Sequence, residues 1–202
     1  MKLNKLEFLA MNNPIRAFIQ EKYELKILYE MTSIKNIQTA LEIGCGNGYG
    51  TKLIKKYFSP TKIIGIDLDE RMIRIATKHN KDLSISYEVM DASNLDFPEK
   101  YFDAIFDFGI IHHIPNWKDS LKEVKRVLKP KGEFIVEDLS IDSFSMGIGN
   151  LWRILSDHPY QFMYTPKEFT EFLNDIGFYI NNYKEFNPLK FIRFFSLNAT
   201  IK

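Results

Sequence analysis

The chain is predicted to fold as one α/β domain built around a mostly parallel sheet with helices on both faces. Short apolar runs that fit strands alternate with amphipathic stretches that fit helices. Such alternation indicates right-handed β-α-β units, whose helices cover both faces of a parallel sheet. The length of 202 residues is that of a single domain, and the sequence shows no repeat or linker.

Seven strands and five helices follow from this pattern. The predicted strands are 39–43, 62–66, 84–90, 102–108, 133–137, 178–185 and 191–199, and the predicted helices are 14–33, 49–57, 70–79, 117–128 and 166–176. The first helix precedes the sheet and is expected to cap it. A short link through Asn187-Pro188 predicts that the last two strands form an antiparallel hairpin at the sheet edge.

The composition favours a globular protein of a reducing compartment. Hydrophobic residues make up 45% of the chain and charged residues 26%, which is typical of folded domains. One cysteine excludes an internal disulfide, and the net charge of +1 provides no general attraction to nucleic acid or anionic membranes. No segment approaches the roughly 18 apolar residues of a membrane span. We therefore expect a cytoplasmic protein with no nucleic-acid partner.

A glycine-rich turn, Glu42-Ile-Gly-Cys-Gly-Asn-Gly48, follows the first strand. Glycine allows positive φ and lets a ligand approach the main chain, and open parallel sheets bind ligands at this edge. A dinucleotide loop would read G-x-G-x-x-G, but counting from Gly44 the last position is Tyr49. Glu42 instead suits a cationic ligand, such as a sulfonium with an α-amino group, because a nearby carboxylate attracts both centres.

Acidic residues follow the next two predicted strands. Asp67 is placed to accept hydrogen bonds from two ribose hydroxyls, a role shared with nicotinamide cofactor sites. Asp69 is predicted as the N-cap of the following helix instead. Asp91 is placed to accept from an adenine amino group, and the Ala92 N–H to donate to the ring. The two strand-end acids, Asp67 and Asp91, therefore indicate nucleoside binding.

Two adjacent histidines, His112 and His113, follow the fourth strand, beside the place where a transferred group would point. Adjacent residues rarely converge on one ion, and no spaced Cys, His or carboxylate cluster accompanies them, so no metal site is predicted. Histidine titrates near neutral pH and can act as a general base, or it can simply pack or cap the loop. Cys45 is predicted to be a small residue in a tight turn rather than a nucleophile.

In combination, these motifs resemble the class I, Rossmann-like methyltransferases that use S-adenosylmethionine (SAM), in the small-molecule branch that includes quinone-biosynthesis enzymes. The resemblance covers about residues 12–138, including the stretch 112–132 around the fourth helix. Pro130-Lys131-Gly132 stands where the family has Pro-Gly-Gly. The resemblance implies a Rossmann-like sheet of seven strands and SAM as the cofactor.

The same resemblance assigns roles to individual residues. The implied cofactor contacts are Glu42, Gly44, Cys45, Gly46, Asn47, Gly48, Asp67, Leu68, Asp91, Ala92 and Phe108. Substrate choice in this family lies in the N-terminal helix and in insertions, which here are residues 12–33 and 141–164. Tyr23, Tyr160 and Tyr164 are therefore expected to wall the acceptor pocket together with the two histidines. His113, or else His112, is the expected general base.

Three alternatives stay open beside methyl transfer to a small molecule. A protein or nucleic-acid methyltransferase would share the cofactor site, although Phe108-Gly109-Ile110 lacks the Asn-Pro-Pro-aromatic pattern of base and glutamine methylators. An NAD(P)-dependent oxidoreductase would need the glycine register shifted, and it leaves Asp91 without a role. A non-catalytic cofactor-binding module is the third alternative. The acceptor and the oligomeric state do not follow from the sequence.

Overall fold

A computed structural model describes residues 20–21, 25–141, 160–187 and 193–201. The strands are β1 (Thr39–Ile43), β2 (Lys62–Asp67), β3 (Ile85–Val89), β4 (Phe102–Phe108), β5 (Leu128–Leu139), β6 (Phe178–Phe186) and β7 (Phe194–Ile201). The described helices are α1 (Leu25–Met31), α2 (Tyr49–Phe58), α3 (Glu70–His79), α4 (Trp117–Val127) and α5 (Pro166–Asp175). The predicted alternation of strands and helices is confirmed.

The seven strands form one sheet in the order β3-β2-β1-β4-β5-β7-β6. The first five strands pair in parallel, whereas β7 runs antiparallel to both β5 and β6. The predicted hairpin is confirmed, with β6 at the edge and β7 one strand further in. Strand order reverses at β1, which pairs with β2 on one side and with β4 on the other. The carboxyl ends of β1 and β4 therefore flank the switch point at which open sheets bind ligands.

Apolar side chains cover both faces of the sheet. On one face, α4 and α5 pack through Trp117, Leu121 and Phe169. On the other face, α1 and α2 pack through Leu25 and Ile54. Because successive strand residues point to opposite faces, the central strands supply apolar side chains to both clusters.

The N-termini of α3 and α5 lie where the capping residues in the sequence predict them. Asp69 caps α3, since its side chain accepts from the Arg71 backbone N–H at 3.0 Å. Thr165 caps α5 in a reciprocal capping box with Glu168, and Pro166 occupies the first turn. These caps satisfy backbone N–H groups that have no partner inside the helix.

Three elements differ from the predictions by more than one residue. β5 begins at Leu128, and its pairing with β4 is irregular there, so the predicted turn at 130–132 is a bulge within the strand. β7 begins at Phe194 rather than at 191 and runs on to Ile201. The helix predicted over 14–33 is confirmed for Leu25–Met31, after which the chain is no longer helical. Residues 1–19 and 22–24 lie outside the described residues.

None of the described helices combines the length and the apolar character that crossing a bilayer requires.

Candidate active site

The glycine turn after β1 has the backbone that its sequence predicts. Gly44, Gly46 and Gly48 have φ values of 64°, 53° and 81°, which disfavour other residues. A Cβ on Gly44 would lie 2.2 Å from Ile110, and one on Gly48 would lie 2.5 Å from the Tyr87 hydroxyl oxygen. A Cβ on Gly46 would meet nothing within 4 Å. The outer two glycines thus permit close packing, while the middle one leaves open space at the sheet edge.

Glu42 is a buried carboxyl directly beneath this turn. Its side chain is 2% exposed, and its Oε2 atom has no hydrogen-bond partner among the described residues. Burial raises the pKa of Glu42 well above its ordinary value, and the charge of Asp67 acts in the same direction. An added positive charge beside this carboxyl would stabilise its ionised form. The orphaned oxygen therefore fits a site for a cationic group.

Gly50, at the start of α2, provides the room that Glu42 needs. A Cβ on Gly50 would lie 1.9 Å from Glu42 Oε1 and 3.1 Å from the ring of Phe108. The predicted site residues omit Gly50. The sequence does contain a signal for Gly50, because glycine is unfavourable inside a helix and its presence there indicates a packing or functional role.

Asp67, at the end of β2, is hydrogen-bonded to the glycine turn. Its carboxylate accepts from the Gly46 N–H at 2.9 Å and from the Asp69 N–H at 2.8 Å. Burial raises the pKa of Asp67, while these two backbone donors act in the opposite direction. The next residue, Leu68, is 39% exposed and offers an apolar side chain beside the acid. Asp67 and Leu68 therefore present both a polar and an apolar contact at this edge.

Asp91 lies at the end of β3, on the exposed rim of the same edge. Its Oδ1 atom accepts from the Ser93 N–H at 2.8 Å and from the Ser93 hydroxyl at 2.7 Å. This is the local turn that a strand-end aspartate commonly forms. Ala92 beside it is half-buried. The adenine contacts predicted for these two residues stay predictions.

The remaining residues of the turn have structural contacts. The buried Cys45 donates its N–H to the Ile66 carbonyl at 2.8 Å, and burial raises the pKa of its thiol well above the ordinary value. A thiol that stays protonated is a poor nucleophile, in keeping with the predicted turn role. Asn47 Oδ1 accepts from the Tyr49 N–H at 3.1 Å, at the start of α2.

Tyr87 in β3 packs against the glycine turn, and the sequence does not predict this contact. Its ring fills the space that a Cβ on Gly65 would need, 2.9 Å from that position. Its hydroxyl lies 2.6 Å from Thr51 Oγ1. No spacing in the sequence signals this contact, because it joins residues that are 36 positions apart.

The loop after β4 contains a short 3-10 turn, Ile111–His113. His112 is 4% exposed, and its Nδ1 is hydrogen-bonded to Asp138 at the end of β5. Asp138 also accepts the hydroxyl of Tyr164. The half-buried His113 packs against His112, with ring centroids 4.2 Å apart and the ring planes tilted by 37°. Asp138 was absent from the predicted site because its partners lie 26 residues away on either side.

Tyr164 requires a correction. The sequence predicts that it walls the acceptor pocket, but the side chain is 1% exposed and packs between Trp117 and Phe169 in the core. Its ring therefore cannot form an open pocket wall. Tyr160 lies in the partly exposed turn Tyr160–Phe162 and stays a candidate. Tyr23 and residues 142–159 lie outside the described residues.

Asp107, near the end of β4, is a second buried carboxyl that the predictions omit. Its Oδ1 accepts from the Ile110 N–H at 2.9 Å, and its Oδ2 has no partner within the described part of the chain. Burial and the nearby charge of Asp138 raise the pKa of Asp107 well above its ordinary value. Asp107 is therefore a buried carboxyl whose surroundings favour its protonated form.

A cavity of about 220 Å³ opens beyond the carboxyl ends of β5 and β6 and the start of β7. Its lining includes Ser140, Thr165, Arg193 and Phe194. Small-molecule pockets usually measure about 300–1,000 Å³, so this cavity has room for part of a ligand. Over the described ranges, no group of three or more histidine, cysteine or acidic side chains is arranged to hold a metal ion.

Comparison with known proteins gives concordant results. Residues 41–136 match the family described as a methyltransferase domain. The fatty-acid O-methyltransferase of Mycolicibacterium smegmatis is 29% identical over 58% of this chain and 43% of that protein. The demethylmenaquinone methyltransferase of Staphylococcus saprophyticus is 32% identical over 63% and 56% respectively. A SAM-dependent methyltransferase structure from Aquifex aeolicus aligns over all of both chains, with a TM-score of 0.77 and 21% identity. The chain thus spans about half the length of these two curated relatives.

Proposed function

We propose that the chain is a class I SAM-dependent methyltransferase that transfers a methyl group from SAM to a small-molecule acceptor, since residues 41–136 match a methyltransferase domain family. The observation that carries this proposal is the buried Glu42 carboxyl, whose orphaned oxygen lies beneath an open glycine turn. SAM carries two cationic centres, and a dinucleotide pyrophosphate carries negative charge. The carboxyl therefore favours SAM over NAD(P).

The residues at this edge fit the parts of the cofactor. Glu42 is proposed to face the α-amino group, and Gly46 leaves space for the amino-acid portion. Asp67 is proposed to accept from the ribose hydroxyls, with Leu68 against the adenine ring. The rim residue Asp91 is proposed to accept from the adenine amino group, with the Ala92 N–H as a donor, while Phe108 and the backbone of Cys45, Asn47 and the outer glycines shape the floor.

When bound, SAM supplies an electrophilic methyl group on a good leaving group. The protein then has mainly to align the acceptor and exclude water, and orientation alone can lower the barrier by about 7–11 kcal/mol. The loop with His112 and His113, at the end of β4, is proposed to form the wall on the methyl side. Residues 141–164 are proposed to lie on the acceptor side, and the cavity beside Ser140 and Thr165 supports this because it opens at the same sheet edge.

The printed names of the two curated relatives support a small-molecule acceptor, since they refer to a fatty acid and to demethylmenaquinone. We further propose that the chain is a single domain with a cytoplasmic location. The buried Cys45 thiol, the one cysteine of the sequence, suits a reducing compartment. Fractionation of cells that express the tagged chain tests the location.

Methyl transfer from isotope-labelled SAM to a panel of fatty acids and reduced naphthoquinones tests the proposal. We expect labelled product from the wild-type chain and a large loss with Asp67→Asn. The exposed Asp96→Asn is the matched control and should retain activity. SAM binding without methylated product from any member of a broad small-molecule panel would instead favour a non-catalytic module.

A further inference from the structure

Thr51, in the first turn of α2, is a buried polar residue between the glycine turn and Glu42. It is 0% exposed, and its hydroxyl donates to the Gly48 carbonyl oxygen at 2.7 Å. Its backbone N–H donates to the Glu42 carboxyl. The first N–H groups of a helix have no partner within the helix, so a carboxylate placed here satisfies one of them and is favoured by the helix dipole. Thr51 therefore contacts both parts of the site proposed for the amino-acid portion of SAM.

The hydroxyl of Tyr87 in β3 extends this arrangement. It lies 2.6 Å from Thr51 Oγ1 and 3.4 Å from the Gly48 carbonyl oxygen. Each hydroxyl has a single proton to donate. Because Thr51 donates its proton to Gly48 at 2.7 Å, the short contact with Tyr87 is one in which Tyr87 donates to Thr51 Oγ1. The two hydroxyls thus form a chain of hydrogen bonds that ends on the Gly48 carbonyl, and such chains strengthen each member.

This chain holds the glycine turn at its junction with α2. Gly48 is the N-cap residue of α2, and it has the left-handed conformation with φ 81° and ψ 14°. Glycine reaches many other conformations at little cost, so contacts from outside the turn must select this one. The hydroxyls of Thr51 and Tyr87 supply such contacts before any ligand binds. A ligand then binds without the cost of ordering the turn.

The Thr51 backbone also determines which oxygen of Glu42 is available. Glu42 Oε2 has no hydrogen-bond partner among the described residues, so the Thr51 N–H bonds to Oε1. Oε1 lies 1.9 Å from the position of a Cβ on Gly50, in the space that this glycine leaves. The contact with Thr51 therefore uses one oxygen of the carboxyl and leaves the acceptor capacity of the other.

We propose that Thr51 and Tyr87 are positioning residues of the cofactor site, which hold the glycine turn and Glu42 as one preformed unit for the amino-acid portion of SAM. This rests on the proposed function, which needs a SAM site at this sheet edge. Thr51 acts through Gly48 and Glu42, and Tyr87 acts through Thr51. The residues proposed to contact the nucleoside take no part in this chain of hydrogen bonds. Loss of either hydroxyl should therefore weaken ligands that carry the amino-acid portion more than ligands that lack it.

The first test compares two ligands by calorimetry, S-adenosylhomocysteine and 5′-methylthioadenosine, which keeps the nucleoside and lacks the amino-acid group. Tyr87→Phe keeps the ring beside Gly48 and Gly65 and removes only the hydroxyl. One hydrogen bond is worth about 3- to 10-fold in an equilibrium constant, and we expect the affinity for S-adenosylhomocysteine to fall by this factor. The affinity for 5′-methylthioadenosine should stay unchanged. Tyr179→Phe, at an exposed position of β6, is the matched control and should bind both ligands as the wild type does.

Variants of Thr51 separate the hydroxyl from the rest of the side chain. Thr51→Val removes the hydroxyl at nearly constant size and should weaken S-adenosylhomocysteine at least as much as Tyr87→Phe does. Thr51→Ser keeps the hydroxyl and should bind nearly as the wild type does, as should the exposed control Thr77→Val in α3. Equal weakening of both ligands, or a lower unfolding midpoint with unchanged affinity, would show a merely structural role and overturn the proposal. If Thr51→Val does not fold, Tyr87→Phe decides.

The second test uses amide hydrogen exchange of the ligand-free protein and needs no cofactor. The Gly48 N–H donates to the Cys45 carbonyl at 2.9 Å, so its exchange reports opening of the turn. It should exchange faster in Tyr87→Phe than in the wild type, whereas the amides of β4 should be unchanged. Unchanged exchange at Gly48 would overturn the proposal. If the wild type binds neither ligand, the proposed function fails, and the exchange rates still decide whether the two hydroxyls hold the turn.

Discussion

At the residue scale, the main feature is a set of buried carboxyl groups at the carboxyl ends of the central strands. Glu42 and Asp107 each keep one oxygen without a partner in the described part of the chain, and burial raises the pKa of both. Burying such a carboxyl costs free energy while the site is empty. The group can serve a function when a cation binds beside it, or when its neutral form places no second negative charge next to a neighbouring carboxylate. The two roles lead to different predictions.

From the raised pKa of Glu42 we predict that SAM binding releases a proton. In the free protein the raised pKa keeps Glu42 protonated at pH values above 4.5, which is the ordinary pKa of this side chain. A bound cation favours the carboxylate, so SAM affinity should rise with pH until the free protein also ionises Glu42. Calorimetry in buffers of different ionisation enthalpy would detect this release.

The matched variant is Glu42→Gln, which keeps the shape of the side chain without the charge. It should bind SAM more weakly than the wild type at high pH and release no proton at this position. Equal proton release from the wild type and from Glu42→Gln would refute the role assigned to this carboxyl.

From the raised pKa of Asp107 we predict that the free energy of unfolding depends on pH. The unfolded chain ionises this group near 3.8, whereas the native state keeps it protonated to higher pH. The native state then binds more protons, so the contribution of Asp107 to stability is present below pH 3.8 and is lost as pH rises towards the native pKa. Asp107→Asn should therefore gain stability relative to the wild type between pH 4 and pH 8.

Denaturant unfolding at both pH values measures this difference, with the exposed Asp119→Asn as the control. A relative loss of stability by Asp107→Asn on going from pH 4 to pH 8 would mean that Asp107 is ionised in the native protein.

The residues that the sequence failed to indicate share one physical property. Asp138 and Tyr87 contact partners that only the sheet brings close, and the burial of Asp107 likewise follows from the packing of the sheet. The spacing of residues along the chain therefore does not indicate these contacts. Glu42 and the glycines were found because their role depends on local backbone shape and on a position next to a strand end.

At the element scale, the unit that matters is the β1 strand, its glycine turn and helix α2. The turn is held by the Gly46–Asp67 hydrogen bond and by the ring of Tyr87 beneath Gly48 and Gly65. Local sequence predicts β1, β2 and β4 closely because each is a short, mostly apolar run followed by turn residues. The start of β5 was missed because residues 128–132 pair with β4 through a bulge, which depends on the neighbouring strand.

Gly50→Ala is the sharpest test of this unit. Alanine in a helix is favoured over glycine by about 1 kcal/mol, so helix propensity alone would stabilise the variant. The added Cβ, however, would lie 1.9 Å from Glu42 Oε1 and must displace that carboxyl. We expect SAM affinity to fall by about tenfold or more, equivalent to about 1.4 kcal/mol, with the fold retained.

Calorimetry with SAM and circular dichroism give the two readouts. Lys52→Ala, at an exposed position of the same helix, serves as the control and should bind SAM normally. Unchanged affinity in Gly50→Ala would show that the position of the Glu42 carboxyl does not matter for binding.

At the scale of the whole molecule, the sheet order explains why distant residues meet. The reversal at β1 places the ends of β1, β2, β3 and β4 along one edge, which gathers Glu42, Asp67, Asp91 and the loop of His112. The α/β class was predictable because alternation of strands and helices leaves few arrangements. The position of β7 between β5 and β6 was not, because a hairpin link alone does not say which of its strands joins the sheet.

The most direct test of the central claim, a SAM site at this edge, is the thermal shift of the purified chain with S-adenosylhomocysteine and, separately, with NAD. A ligand at about 100 times its dissociation constant stabilises the native state by about 2.7 kcal/mol. Each kcal/mol raises the midpoint by about 2–4 °C for a domain of this size. We predict that S-adenosylhomocysteine raises the midpoint by several degrees and that NAD does not. A shift with NAD and none with S-adenosylhomocysteine would contradict the account.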